Sequence, residues 1–391
     1  MNTNDDYLRE LQERIRRLEF DKLPHEVAIR FIEESIEKGS KLRSEFKKAE
    51  NEAENILKIL LDAGEILKVN FNRDDINKLS SIPSAGIDGS NRVKGGKLGI
   101  YYIMLIAGIA KFLEGVHGTC NVEFSDVKIE EYFDPTGEKV HAIAEDLMLE
   151  LETKAIHHFV NRDAPKNKKT ILLLDGPIID PPRPPVLKSS LSYIEYRCKA
   201  IRSCIDRNPP ITVVGFNKRI MGNLYKNYVE ELTKRKLTNI HSDFNLVSLL
   251  FYNLLREEYE LQGEIKSIYY TKPIKVDNVP VAKDYEKYGE IEIYSTFSVF
   301  SLRHPPFRVD IPVVAGTDLS EVNKYAEEII KFIKVSTFPG LRYPIQIVTI
   351  HEKVSLRDGA AQLIYNEILT RATTTTEDIL SYLAAHIADE F

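Results

Sequence analysis

The chain opens with apolar residues three and four positions apart. Leu8, Leu11, Ile15 and Leu18 keep that spacing with charged residues between them, which is the period of one helix face. Pro24 interrupts the pattern, and it resumes through Val27, Phe31, Ile32 and Ile36 and again through Ile56, Leu57, Leu60 and Leu61. It predicts helix over residues 5 to about 69, either packed on its own domain or presented as a contact arm. After "SSIPSAG" the period changes. Runs at 85–89, 98–107 and 119–128 read as strands, and 141–160 reads as helix. Next come a strand at 170–175, a helix near 188–206, a strand at 211–216 and helices across about 217–257. A β-rich stretch covers roughly 262–315, and a helix at 318–334, a strand "IQIVTI" at 345–350 and two helices finish the chain. Antiparallel strands first and strand–helix alternation later predict an α/β fold, a mixed sheet flanked by helices. The expected division is an N-terminal helical region over 1–80 and one domain over 81–391.

Composition narrows this only a little. With 391 residues, 43% hydrophobic and 29% charged, the chain suits one large domain plus an accessory region. A net charge of −6 does not advertise a nucleic-acid binder, although local basic patches serve that purpose. The three cysteines, Cys120, Cys198 and Cys204, form no CxxC pair. Their odd number argues against a disulfide framework and for a reducing compartment. The run "YYIMLIAGIAKFL" at 101–113 is too short to span a membrane and predicts a buried strand. The first residues are charged and resemble neither a signal nor a transit peptide, so a cytoplasmic location without membrane contact is expected.

Familiar motifs fail on inspection. "GSNRVKGGK" at 89–97 ends in Gly-Lys, but Asn91 stands where a phosphate loop needs its first glycine and Leu98 replaces the hydroxyl residue. "HEKVS" at 351–355 starts like a zinc-protease helix, but Ser355 occupies the second histidine position.

Two aspartates carry more meaning. Asp88 in "SAGIDGSNRV" and Asp175 in "ILLLDGPIID" each follow an apolar run and precede a glycine. Buried carboxylates are costly unless paired or bound to a metal, and strand ends are where open α/β sheets place ligands. The bland alternative for each is a turn aspartate capping a backbone amide. The helix between them adds a third carboxylate. Its apolar residues, from Ile143 to Val160, cover a wide arc with Glu152 near the middle; Glu145 shares that face, and Glu150 points away. Converging carboxylates repel unless cations lie among them, and hard oxygen ligands suit Mg²⁺ or Mn²⁺. Two such ions about 3.5–4 Å apart activate a water and stabilise the leaving oxygen in phosphodiester hydrolysis. His351, after "IQIVTI", is a candidate for metal binding, proton relay or phosphate contact. Lys218 in "VVGFNKR" is a candidate for phosphate neutralisation.

Seven segments together resemble the NurA nuclease family, archaeal and bacterial nucleases that work with the HerA hexameric translocase. They are "GIDGS" (86–90), "LELE" (149–152), "ILLLDGPI" (171–178), "VVGFNK" (213–218), "SDFNLVSLL" (242–250), "RVDIP" (308–312) and "YPIQIVTIH" (343–351), in the family's order over about 80–371. The resemblance implies a ribonuclease H-like core and Mn²⁺-dependent (or Mg²⁺-dependent) cleavage. It also implies single-stranded DNA exonuclease activity of 5′→3′ polarity, endonuclease activity, and a homodimer docking on HerA for DNA-end resection. By resemblance the metal and catalytic roles fall to Asp88, Glu152, Asp175 and His351, with Glu150 competing with Glu152 in a gapless reading across the longer "NRDAPKNKK" loop (161–169). A functional tyrosine is implied too, with Tyr252 and Tyr225 as candidates. Trp is absent, so base stacking would use Tyr or Phe. A non-catalytic adaptor that binds a translocase through residues 1–70, and a ribonuclease on the same core, are the alternative readings.

Overall fold

The computed structural model describes residues 25–70, 72–96, 99–179, 183–186, 191–265 and 267–373. The Leu8–Leu18 helical pattern and the last predicted helix after 373 lie outside these residues. Helix α1 (His25–Asp62) leads into strand β1 (Ile66–Asn70), helix α2 (Arg73–Ser80) and three long strands, β2 (Ser84–Gly95), β3 (Ile100–Phe112) and β4 (Asn121–Phe133). Helix α3 (Val140–His158) precedes β5 (Thr170–Asp175), α4 (Leu191–Ile205) and β6 (Ile211–Asn217). Then come α5 (Leu224–Thr233), α6 (Asp243–Gln262), β7 (Ser267–Thr271), β8 (Ile274–Lys275), α7 (Ala282–Gly289), β9 (Ile291–Val299) and β10 (Phe307–Val314). Helices α8 (Leu319–Ser336), α9 (Ile345–Val354) and α10 (Asp358–Thr373) follow.

Among the described residues ten strands join one sheet in the order β1-β7-β9-β10-β6-β5-β2-β3-β4, with β8 on β9. Strands β2, β5 and β6 are parallel, and the remaining pairings are antiparallel. The predicted mixed α/β sheet flanked by helices is therefore the architecture. Strand β5 shows how the layers form. Its alternate residues enter opposite cores: Ile171 and Leu173 pack with α8 and Ile347 of α9, whereas Leu172 and Leu174 pack with α3, α4 and α7. A strand covered on both faces reads as a continuous apolar run, which is why "TILLL" carries no alternation. The run at 101–113 is β3, buried along its second half. Residues 89–95 of the glycine-rich stretch that mimics a phosphate loop belong to β2, paired with β3.

Two expectations about secondary structure are corrected. Helix does not continue to residue 69: α1 stops at Asp62, Gly64 takes a φ of +67°, and Ile66–Asn70 add β1 to the sheet edge beside β7. The last turns of α1 bury Ala49, Ala53, Ile56, Leu57 and Leu60 in a core shared with α6, while Val27 and Phe31 are exposed. "IQIVTI" is helical rather than extended. A short apolar run does not distinguish a strand from a buried helix turn. Here Pro344 stands at the N-cap and Gln346, Ile347, Ile350 and Val354 are buried, which is one helix face.

Glycines on β2 and β3 let α9 lie close on the sheet. A Cβ at Gly86 would come within 2.5 Å of the Gln346 carbonyl oxygen, and one at Gly108 within 3.0 Å of Ile350 Cδ1. Gly86→Ala is expected to lift α9 and cost about 1–3 kcal/mol through overpacking. Thermal unfolding followed by circular dichroism reads this as a lower melting temperature, and an unchanged one refutes the close approach.

Candidate metal centre

The register of β2 on β5 builds the centre. Ile87 lies opposite Leu174 in the last paired step, so the next residues, Asp88 and Asp175, emerge side by side where the strands part. Side chains alternate along a strand, and both aspartates point to the face covered by α9. Gly176, at φ +139°, turns the chain off β5, and its amide donates to the Phe216 carbonyl. Lys218, two residues beyond Phe216 on the same alternation, donates from Nζ to Asp175 Oδ2 at 2.6 Å. From above, the last turn of α9 supplies His351, whose Nδ1 is 2.8 Å from Asp88 Oδ2 and 3.3 Å from Asp175 Oδ2.

Ligand atoms of Asp88, Asp175 and His351 all lie within 4.8 Å of one another. Burial, and then the Asp175 charge, push the Asp88 carboxyl up to about 7. Hydrogen bonding to Asp175, joined by Asp88, raises His351, against the opposing effects of burial and Lys218. Asp88 is 5% exposed, whereas the His351 side chain is 56% exposed, so the cluster opens to solvent on the histidine side. Two hard carboxylate oxygens and an imidazole at one opening fit a divalent ion such as Mn²⁺ or Mg²⁺.

The helix glutamates separate clearly. Glu145 is exposed and pairs with Arg183 at 3.0 Å, and Glu150 pairs with Lys154 at 3.2 Å. The expectation that Glu145 shares the inward face is corrected: its neighbour Asp146 is the buried residue, accepting from Arg183 and from the Val186 amide. Glu152 is buried, but it approaches from the α3 side of the sheet, opposite the α9 side. A Cβ at Gly89 would lie 3.0 Å from Glu152 Oε1 and 2.9 Å from Met148 Cγ. The glycine after Asp88 thus makes room for this carboxylate beneath β2. Glu152 stands next to the Asp88–Asp175–His351 cluster and not within it.

The two candidate tyrosines pack outside the Asp88–Asp175–His351 cluster. Tyr225 is fully buried against Phe297, and Tyr252 lines a shallow groove with Ser301 and His304. Tyr343 lies beside Lys218, with Lys218 Nζ 5.7 Å from its ring centroid and its ring against Phe216. It stands in the same "YPIQIVTIH" stretch as His351, which was the signal available to sequence reading. A second group, Glu123, His158 and Asp163, already surrounds a cation: Lys111 Nζ donates to Glu123 at 2.6 Å and Asp163 at 3.1 Å.

Fold and cluster together define a mixed α/β protein with an acidic centre where its parallel strands β2 and β5 part. The model of the NurA domain matches residues 84–356. The chain belongs to the NurA family. Its fold is similar to the crystal structure of the NurA nuclease from Sulfolobus solfataricus, at 13% identity and TM-score 0.57, over 91% of this chain and 99% of that one. A second NurA crystal structure aligns at 12% identity and TM-score 0.48 over 86% of this chain and 97% of that chain. A crystal structure of NurA with manganese aligns at 12% identity and TM-score 0.38 over 82% of this chain and 97% of that chain. No curated protein matches the chain in sequence.

Proposed function

We propose that this chain is a two-metal DNA nuclease. It degrades single-stranded DNA from the 5′ end, also cuts internally, and acts as a homodimer on single- and double-stranded DNA ends with the HerA hexameric ATPase in end resection. The observation that carries the reading is the meeting of Asp88, Asp175 and His351 at one solvent-facing opening. Family membership supports the nuclease class. The N-terminal region, 1–80, is assigned to dimer or partner contact, and the location to the cytoplasm. Among the described residues no helix is long and apolar enough to cross a membrane.

Asp88, Asp175 and His351 would hold a divalent cation, and Glu152 would serve as a further carboxylate from the α3 side. A bound divalent ion lowers the pKa of water and neutralises phosphodiester charge. The residues prepare for it in distinct ways. Asp88 and Asp175 are fixed by strands rather than loops, so their separation changes little when a cation binds. His351 rides on an exposed turn, which lets the imidazole exchange a proton with solvent. Lys218, held by Asp175, places a positive charge where the DNA phosphate enters. Tyr343 offers an aromatic face at the same edge for a terminal base.

The test uses 5′- and 3′-labelled single-stranded oligonucleotides and matched RNA in Mn²⁺, Mg²⁺ or EDTA. Cation-dependent shortening of DNA from the 5′ end is expected, with RNA intact. Absence of cleavage with and without HerA would favour the adaptor reading, and preferential loss of RNA the ribonuclease.

A further inference from the structure

Acidic residues are spread unevenly along the chain. It holds 59 of them among 391 residues, yet none falls at 207–229, 293–309 or 329–351. The fold joins these three stretches beside the metal centre. Arg308 near the start of β10 lies opposite Asn217 at the end of β6, and the Phe216 ring meets Phe307 and Tyr343. In the turn from β9 to β10, His304 Nε2 donates to the Leu341 carbonyl at 3.1 Å and Nδ1 accepts from Ser301 Oγ at 2.6 Å. These bonds fasten the turn to the approach to α9. Arg219, Arg303 and Arg342 are exposed on these segments. Past the turn, Leu249, Tyr252, Ser301, Leu302 and His304 line a groove of about 220 Å³ beside α6, in which Tyr252 and Leu302 are exposed. The other direction along the sheet carries the opposite charge. Gly108, paired with Asp88, pairs on its far side with Phe124, so the start of β4 is level with the centre. That strand carries Glu123, Asp126, Glu130 and Glu131 against Lys128 alone. A polyanion leaving the centre is therefore repelled toward β4 and attracted toward β6, β10 and β9.

We propose that single-stranded DNA runs from the metal centre across the ends of β6, β10 and β9 into the groove beside α6, its phosphates held by Arg219, Arg303 and Arg342, an inference that rests on the nuclease reading above. The distance from β5 to β9 is three strand spacings, about 15 Å, so several nucleotides beyond the cleaved bond lie on this track. Tyr343 and Tyr252 offer rings to unpaired bases along it, whereas a duplex keeps its bases stacked inside.

The experiment measures binding of a labelled twelve-nucleotide single strand to the full chain by fluorescence anisotropy in EDTA, across a series of salt concentrations. The double variant Arg303→Gln, Arg342→Gln should bind about tenfold or more weakly, and its log affinity should fall less steeply with log salt, by about 1.4, the change for two phosphate contacts on a single strand. Lys128→Gln, on the acidic side, should bind as wild type does. Wild-type affinity in the folded double variant, or an equal loss in Lys128→Gln, overturns the track. Hydrolysis of thymidine 5′-p-nitrophenyl phosphate by the wild type in Mn²⁺ reads the centre alone. If the wild type cleaves neither this ester nor DNA, the nuclease reading fails and the track with it. If it cleaves the ester and the double variant binds the strand as wild type does, only the track fails. If it cleaves the ester and does not bind the strand, the track also fails, and the basic face is left to an acidic protein segment.

Discussion

Asp88→Ala is expected to lower cation-dependent DNA degradation about a thousandfold, about 4 kcal/mol of transition-state stabilisation, while the protein stays folded. Asp88 joins both partners of the centre. It accepts from His351 at 2.8 Å and lies beside Asp175 at the parting of β2 and β5. Without its carboxylate a cation keeps only Asp175 and His351 in the cluster. The fold should tolerate the change, because the side chain removed is itself a poorly solvated charge source. Asp88→Asn, with the same shape and no charge, should lose activity equally. A folded Asp88 variant that retains more than a tenth of wild-type activity would remove this residue from the centre.

The second large effect is on stability, and its sign is unusual for an aspartate. The carboxyl of Asp88 is raised from 3.8 to about 7, first by burial and then by Asp175. A raised acid favours folding fully below its unfolded pKa and loses that contribution as pH rises through the folded value. His351 is raised as well, so it works in the same direction. Metal-free protein should therefore lose stability between about pH 4 and pH 8 through this pair. Asp88→Asn should remove much of that slope and melt a few degrees above wild type at pH 8. Mn²⁺ needs the carboxylate form, so its stabilising shift should be larger at pH 8 than at pH 5.5. Scanning calorimetry with and without Mn²⁺ reads both. An equal shift at the two pH values, or a less stable Asp88→Asn at pH 8, contradicts the assignment of strain to this pair.

Particular residues show how far the sequence could be read. Asp88 and Asp175 were legible because a carboxylate followed by glycine after an apolar run breaks the hydrophobic pattern, although Asp175 ends β5 whereas Asp88 lies inside β2. Glu152 was legible from the helix arc, and its burial agrees with that reading. His351 was legible as a residue, but its element was not: "IQIVTI" satisfies either period, and the close packing on Gly86 and Gly108 decides for helix. β1 was missed for a related reason. Its five residues pair with β7, about 200 positions later. Arg197 is a buried charged residue on the apolar face of α4, between Ile194 and Ile201.

By itself the sequence determined the class of fold, the two aspartates that follow apolar runs and the inward glutamate, because each is a local departure from a local period. Tertiary structure alone decided which face each of them serves. The β2–β5 register sets Asp88 beside Asp175, α9 brings His351 down on one side, and α3 brings Glu152 up on the other. A hydrophobic period reports that a residue faces the core, but the opposite faces of a sheet covered on both sides look alike along the chain.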